Sequence, residues 1–162
     1  MLIVLGGLPG TGKTTIARAL ARRLGAIHVR INKIEQALRS LGKEVGPEGY
    51  VIGYGVAADN LRLGRTVIAD SVNPVKATRD AWRDVAARAG VRVSEIELIC
   101  SDKAAHRARV ETRTGDIEGL KQPTWQDVVD RDYEAWDRPR IVIDTATGSA
   151  EQIVDELLRN LA

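Results

Sequence analysis

Residues 7 to 14 read Gly7-Leu8-Pro9-Gly10-Thr11-Gly12-Lys13-Thr14, which fills the pattern G-x-x-x-x-G-K-[ST] at every fixed position. The apolar run Leu2-Ile3-Val4-Leu5 precedes it and a helix-periodic stretch from Lys13 to Leu24 follows. A strand that feeds a helix through a glycine loop commits the chain to β-α-β construction, because parallel strands need crossovers of a dozen or more residues. The glycines let successive backbone N–H groups turn inward around a phosphate, and the helix beginning near Lys13 adds its positive end to that nest. On this reading Gly7, Pro9, Gly10, Thr11 and Gly12 form the cradle. Lys13 reaches the β- and γ-phosphates of ATP, the Thr14 hydroxyl ligates Mg²⁺, and Thr15 bonds the α-phosphate.

The rest of the chain repeats the β-α alternation. Ile27 to Ile31 predicts a second strand, with Asn32 as N-cap of a helix over Lys33 to Leu41. Tyr50 to Leu63 predicts a helix weakened by Gly53 and Gly55. Thr66 to Ala69 is a third strand closed by Asp70, and Pro74 suits the first position of a helix running to about Ala89. Val91 to Cys100 predicts the fourth strand, with Ser101 or Asp102 capping a helix from Lys103 to about Glu111. Thr124 can cap a helix from Trp125 to Trp136, Ile141 to Ile143 is a fifth strand ending in Asp144, and Ser149 caps a terminal helix to Leu161. The expectation is an α/β, three-layer domain over residues 1–162, with a five-stranded parallel sheet covered by helices on both faces. Gly6, Asn32, Asp70, Ser101 and Asp144 then fall at the strands' C-terminal rim, where such sheets bind ligands.

Composition narrows the function. With 162 residues there is room for one well-buried domain, and 24 Lys and Arg against 22 Asp and Glu leave a formal charge of only +2. That balance lacks the cationic surplus with which proteins displace counterions, and so argues against long duplex nucleic acid as partner. The single cysteine, Cys100, has no Cys or His at metal-ligand spacing, which fits a reducing, cytoplasmic setting rather than structural zinc. Leu2 to Leu5 is too short for a signal-peptide core, and no segment offers the roughly 20 apolar residues of a membrane helix. The absence of an Asn-Lys-x-Asp guanine-reading motif disfavours a GTPase.

Three segments taken together, GLPGTGKTT at 7–15, ADSVNPVKATRDAWRDVA at 69–86 and HRARVETRTG at 106–115, resemble the small P-loop kinases grouped with polynucleotide 5′-hydroxyl kinases, chloramphenicol phosphotransferase, zeta-type toxins and gluconate kinase. The resemblance covers essentially the whole chain. It implies strand order 2-3-1-4-5, ATP as donor, a helical lid after the fourth strand at about residues 112–124, and an Asp general base at the end of the second strand. Here that position is Asn32, within Ile31-Asn32-Lys33-Ile34-Glu35. An amide can orient an acceptor hydroxyl but cannot take its proton. Three explanations stand open: Asn32 is a helix cap in a variant that has another base, the chain binds its substrates but turns over slowly, or it carries an Asp→Asn substitution.

Further site candidates follow. Asp70 is expected to hold Mg²⁺ or the acceptor, with Asn73 and Arg79 beyond it. Glu35 stands where polynucleotide kinases carry a phosphate-binding Arg, so the acceptor near it is expected to be neutral or cationic. Arg109 and Arg113, at i,i+4 spacing, are expected to meet the transferring phosphoryl group, with Gly115 and Gly119 as lid hinges. Tyr50, Tyr54 and Asp59 are read as an acceptor wall beside a notch left by Gly53 and Gly55. Trp82, Trp125 and Trp136 are assigned to packing. The resemblance alone places Thr147 at the adenine edge. The function expected is ATP-dependent phosphoryl transfer to a hydroxyl of a small molecule, an antibiotic being the most specific version. The alternatives are a polynucleotide or nucleoside 5′-hydroxyl kinase and a non-catalytic nucleotide-binding switch or toxin-like module. Oligomeric state is left open.

Overall fold

A computed structural model describes residues 1–161 of the chain. The element order is β1 (Leu2–Gly6), α1 (Lys13–Leu24), β2 (Ile27–Arg30), α2 (Ile31–Ser40), α3 (Glu48–Arg62), β3 (Val67–Asp70), α4 (Lys76–Arg88), β4 (Val93–Ile99), α5 (Lys103–Thr112), α6 (Trp125–Val129), β5 (Ile141–Asp144) and α7 (Ala150–Leu161). The five strands form one parallel sheet in the order β2-β3-β1-β4-β5. No helix among the described residues is long and apolar enough to cross a membrane.

The two-residue period of β1 divides the core. Ile3 and Leu5 face one side, where Ile16 and Leu20 of α1 and Val154 and Leu157 of α7 cover them. Leu2 and Val4 face the other, against Ala57 and Leu61 of α3 and Trp82 and Ala86 of α4. Every residue of β1 is buried, as a central parallel strand requires.

Several boundaries depart from the sequence reading, each for a reason in the packing. Asn32 is not an N-cap: the helix starts at Ile31 and its cap position is Arg30. Pro74 does not open α4, because its carbonyl accepts from Glu134 N at 2.8 Å and from Arg79 Nη2 at 3.2 Å, so the helix begins at Lys76. The helix expected over Trp125 to Trp136 ends at Val129. Beyond it the buried Arg79 takes the carbonyls of Glu134 at 2.6 Å and Ala135 at 3.2 Å, oxygens a continuing helix would spend on its own N–H groups. A side chain of the sheet also holds the irregular stretch that follows. Glu97 of β4 is buried and receives Tyr133 Oη at 3.1 Å and Arg140 Nε at 2.7 Å. Of residues 112–124, expected to be a helical lid, only Thr112 is helical, as the end of α5; 113–124 are irregular, and α6 follows them.

Candidate active site

The loop between β1 and α1 has the conformation its glycines permit. Gly7, Gly10 and Gly12 have φ of 136°, 84° and 88°, a region that side chains with a Cβ rarely enter. A Cβ on Gly7 would lie 2.2 Å from Leu98 O, so this residue lets the loop leave the sheet beneath β4. Thr11 is buried and its hydroxyl donates to Leu8 O at 2.9 Å. Gly7 and Thr11 therefore shape the loop from behind, while Pro9, Gly10, Gly12, Lys13, Thr14 and Thr15 line a cleft of about 1110 Å³.

Lys13 is buried, and its ammonium donates to Leu8 O at 2.8 Å. Burial pushes its pKa down to about 8; Asp70 works against that fall, and the charges of Arg113 and Arg131 add to it. Asp70 ends β3 in register with Leu5 on one side and Arg30 on the other. It accepts from Thr14 Oγ1 at 2.8 Å and from His28 Nε2 at 3.1 Å, with Arg30 Nε 3.7 Å away. Burial favours its protonation, but the bond from His28, the charge on Lys13 and the bond from Thr14 outweigh it and hold the carboxyl below its ordinary value. The hydroxyl and carboxylate of this pair are hard oxygen donors side by side, a set suited to Mg²⁺. Arg113 follows α5, and its Nε is buried without a hydrogen-bond partner. An orphaned guanidinium N–H and an ammonium spent on a loop carbonyl are both groups that a polyphosphate would satisfy.

The far end of the cleft is built on α2. Asn32 is exposed there, and one turn on is Glu35, half-buried, whose carboxyl burial raises against the opposing pull of Arg39 and Arg131. Gly49 leaves the space: a Cβ on it would lie 2.4 Å from Glu35 Cγ. Tyr50 lines the cleft, with its hydroxyl 3.3 Å from Asn73 N. Over the cleft, Asp116 of the 113–124 segment forms an ion pair with Arg30 at 2.8 Å and another with Arg18, and these bonds hold its carboxyl well below the usual range. Ile117 beside it is buried.

Other candidates lie elsewhere. Tyr54 is not in the cleft; it packs edge-on against Trp82 at 4.6 Å and reaches Thr78 O at 3.5 Å. Asp59 is 81% exposed and pairs with Arg62 on the same helix. The notch beside the tyrosines does not exist: Ile31 Cδ1 fills the space at Gly53, and Gly55 faces open space. Asn73 neither caps α4 nor faces the cleft. It is buried with φ 48°, donates to Leu5 O at 2.7 Å and accepts from Trp82 Nε1 at 3.1 Å, tying α4 to the end of β1. Arg79 is likewise a buried clamp, stacked over Trp136 at 4.3 Å. Trp82 and Trp136 pack as expected, and Trp125 lies edge-on to His106. Arg109 lines the cleft but spends its guanidinium on Thr145 Oγ1 and O, at 2.8 and 2.9 Å, which fixes the turn after β5. Arg113 has left the helix, so the two arginines do not share a helical face. Thr147 stands outside the cleft, bonded to Asp144 O.

Arg18, Arg30 and Asp116 are functional candidates that the sequence reading does not single out, and His106, which it takes with Arg107 for part of a solvated basic face, is buried. His106 is buried, with Nε2 2.8 Å from Pro9 O, and it braces the loop from α5. Its spacing to Val110 on the inner face of that helix was the available signal.

Comparison with known proteins fits this geometry. The model of a family described as AAA domain matches residues 2–132. A sequence search of curated proteins gives no match. Among solved structures, a gluconokinase from Sinorhizobium meliloti superposes with TM-score 0.68 at 19% identity, covering 98% of this chain and 90% of that one. A sugar kinase from a Janibacter species gives 0.69 at 22% identity, with 99% and 93% covered. The tunicamycin resistance protein of Deinococcus radiodurans gives 0.63 at 20%, with 99% and 95% covered. The shared fold is that of the small P-loop kinases.

Proposed function

Because the chain belongs to the AAA domain family, we propose that it is an ATP- and Mg²⁺-dependent phosphotransferase acting on a hydroxyl of a small molecule. The observation that carries this reading is the continuity of one cleft from Lys13, Thr14 and Asp70 to Asn32, Glu35 and Tyr50. Donor machinery and a second, separately built wall thus share one space, as in-line transfer between two substrates demands. The names of the similar structures, kinases of sugar-like molecules and an antibiotic resistance protein, support a small acceptor and leave an antibiotic as the narrower form of the same proposal.

Loop N–H groups and Lys13 bind the phosphates of ATP. Thr14 and Asp70 would hold Mg²⁺, which neutralises phosphate charge when bound. Arg113 turns its unpartnered N–H to the equatorial oxygens of the transferring group, and Arg109 positions the turn after β5. The acceptor oxygen forms a bond to the γ-phosphorus as the bond to ADP breaks, and the hydroxyl proton passes late to an oxygen of the transferred phosphoryl group or to water. Asn32 orients that hydroxyl without taking the proton.

The test is label transfer from γ-labelled ATP to a panel of sugars, sugar acids, antibiotics, nucleosides and RNA 5′ ends, by the chain and its Asn32→Asp and Lys13→Met forms. A small hydroxyl compound labelled by the chain or its Asn32→Asp form, and not by Lys13→Met, is the expected result. Label on RNA ends alone would replace it with the polynucleotide reading. Tight ATP binding with no transfer by any form would leave a nucleotide-binding switch, the alternative that Asn32 favours.

A further inference from the structure

Two arginines from different elements close on one carboxylate at the rim. Arg30, the last residue of β2, gives Asp116 two parallel bonds, Nη1 to Oδ2 at 2.8 Å and Nη2 to Oδ1 at 3.1 Å. Arg18 of α1 bonds the same Oδ2. Both arginines sit on regular elements packed into the domain, whereas Asp116 belongs to an irregular segment. The bidentate fork is the geometry by which a guanidinium recognises a carboxylate.

The Arg30 side chain is only 16% exposed, and its other acidic neighbour among the described residues, Asp70, already serves Thr14 and His28. A guanidinium so enclosed is costly without an anion. A ligand anion that displaced Asp116 would meet the same demand. The site's position suggests what that is. Arg18 lies four residues beyond Thr14 on α1, and Arg30 is in register with Asp70, so the pair adjoins the Thr14–Asp70 centre. The donor's phosphates already have the loop, Lys13 and Arg113.

We propose that Arg18 and Arg30 bind a carboxylate of the acceptor, which is therefore a hydroxy acid, and that Asp116 fills this site when the acceptor is absent. The proposal rests on the phosphotransferase reading for what the bound molecule is used for, but the anion site itself does not. Glu35 and Tyr50 at the other wall then face the hydroxyl-bearing, uncharged part of the same molecule.

The test is calorimetric titration of D-gluconate and D-glycerate into the protein saturated with Mg²⁺ and ADP, with D-glucose and glycerol as neutral counterparts. Asp116→Asn, which vacates the site, is expected to bind one of the acids about tenfold more tightly than the unaltered chain, and neither neutral compound. Arg30→Gln, and separately Arg18→Gln in case the first fails to fold, are expected to lose that binding while ADP affinity changes less than twofold. No gain in Asp116→Asn, or acid binding that survives both arginine substitutions, overturns the proposal. A loss of ADP affinity as large as the loss of acid affinity also overturns it, because the pair then serves the nucleotide. Acid binding of the expected pattern without phosphoryl transfer in the label assay would instead sink the phosphotransferase reading and leave the site standing.

Discussion

His106→Ala tests whether the phosphate loop is held open by its own glycines or by a brace from α5. The imidazole is 6% exposed, bonds Pro9 O at 2.8 Å and meets Trp125 edge-on at 5.1 Å. Gly10 presses on the same helix, since a Cβ there would lie 2.5 Å from Val110 Cγ2 and 3.2 Å from His106 Cδ2. Truncation leaves the Pro9 carbonyl without its partner, at about 1–3 kcal/mol, and removes an aromatic pair worth about 0.5–1.5 kcal/mol. A total of about 1.5–4.5 kcal/mol corresponds to a fall in Tm of roughly 3–18 °C for a chain of this size. Loss of the preformed loop should also weaken ADP about tenfold, because ordering it then falls on binding. Thermal unfolding with and without Mg²⁺ and ADP, together with titration of ADP, measures both effects. Val110→Ala is the control, since it thins the packing and keeps the hydrogen bond. A lowered Tm with ADP affinity unchanged in His106→Ala would refute the brace and reduce His106 to a tie between α5 and α6.

Two other outcomes follow from the same geometry. With its pKa pushed down to about 8 by burial, Lys13 loses its proton above that pH in the free protein, whereas beside phosphates it keeps it. ADP affinity should therefore fall about tenfold from pH 7 to pH 9, with Asp70, Arg113 and Arg131 as the charges that face it; a flat profile in the native chain, or the same slope in Lys13→Met, contradicts this. Gly53→Ala should destabilise by about 1–3 kcal/mol, because its Cβ would meet Ile31 Cδ1 at 2.4 Å, while Gly55→Ala, facing open space, should stabilise by about 0.5–1 kcal/mol. Chemical denaturation of both variants decides it, and equal effects would show that α3 is not seated as described.

What was legible in the sequence was whatever short-range pattern dictates. The phosphate loop, the five strands and the cap at Asp102 are set by neighbours within a few residues, and β1 separates its two core faces by period alone. The strand order came through the resemblance, because nothing local says which strand lies beside which. Apart from one helix start at Ile31 and one helix end at Thr112, the failures are long-range. Residues 131–140 are not helical because Arg79 and the buried Glu97 claim their carbonyls and side chains from elsewhere in the chain. Gly53 looked like a notch because the residue that fills it, Ile31, is 22 positions earlier in the sequence. Arg30 and Asp116 lie 86 residues apart and carry no shared motif, so only the fold brings them together.

The geometry also reduces the explanations for Asn32. Its reading as an N-cap fails because Arg30 holds that position, so the residue is not at the cleft for the helix's sake. Asp70 is a poor substitute for the missing base. It is held below its ordinary pKa, and Thr14 and His28 both bond its Oδ2, the edge of the carboxylate turned to the phosphate loop and β2. Glu35 is one turn farther along α2, in a slot cleared by Gly49, and on the proposed reading it meets the acceptor body rather than the reacting hydroxyl. What remains is a site without a dedicated base. In a loose transition state the attacking hydroxyl loses its proton late, and positioning by an amide preserves much of the rate. Asn32→Asp should therefore raise kcat by about 10²-fold, the low end of what a general base supplies, with KM for the acceptor nearly unchanged. Steady-state rates on the labelled acceptor measure it. A gain confined to KM would place residue 32 in acceptor binding alone, and no gain at all would remove the proton from this position.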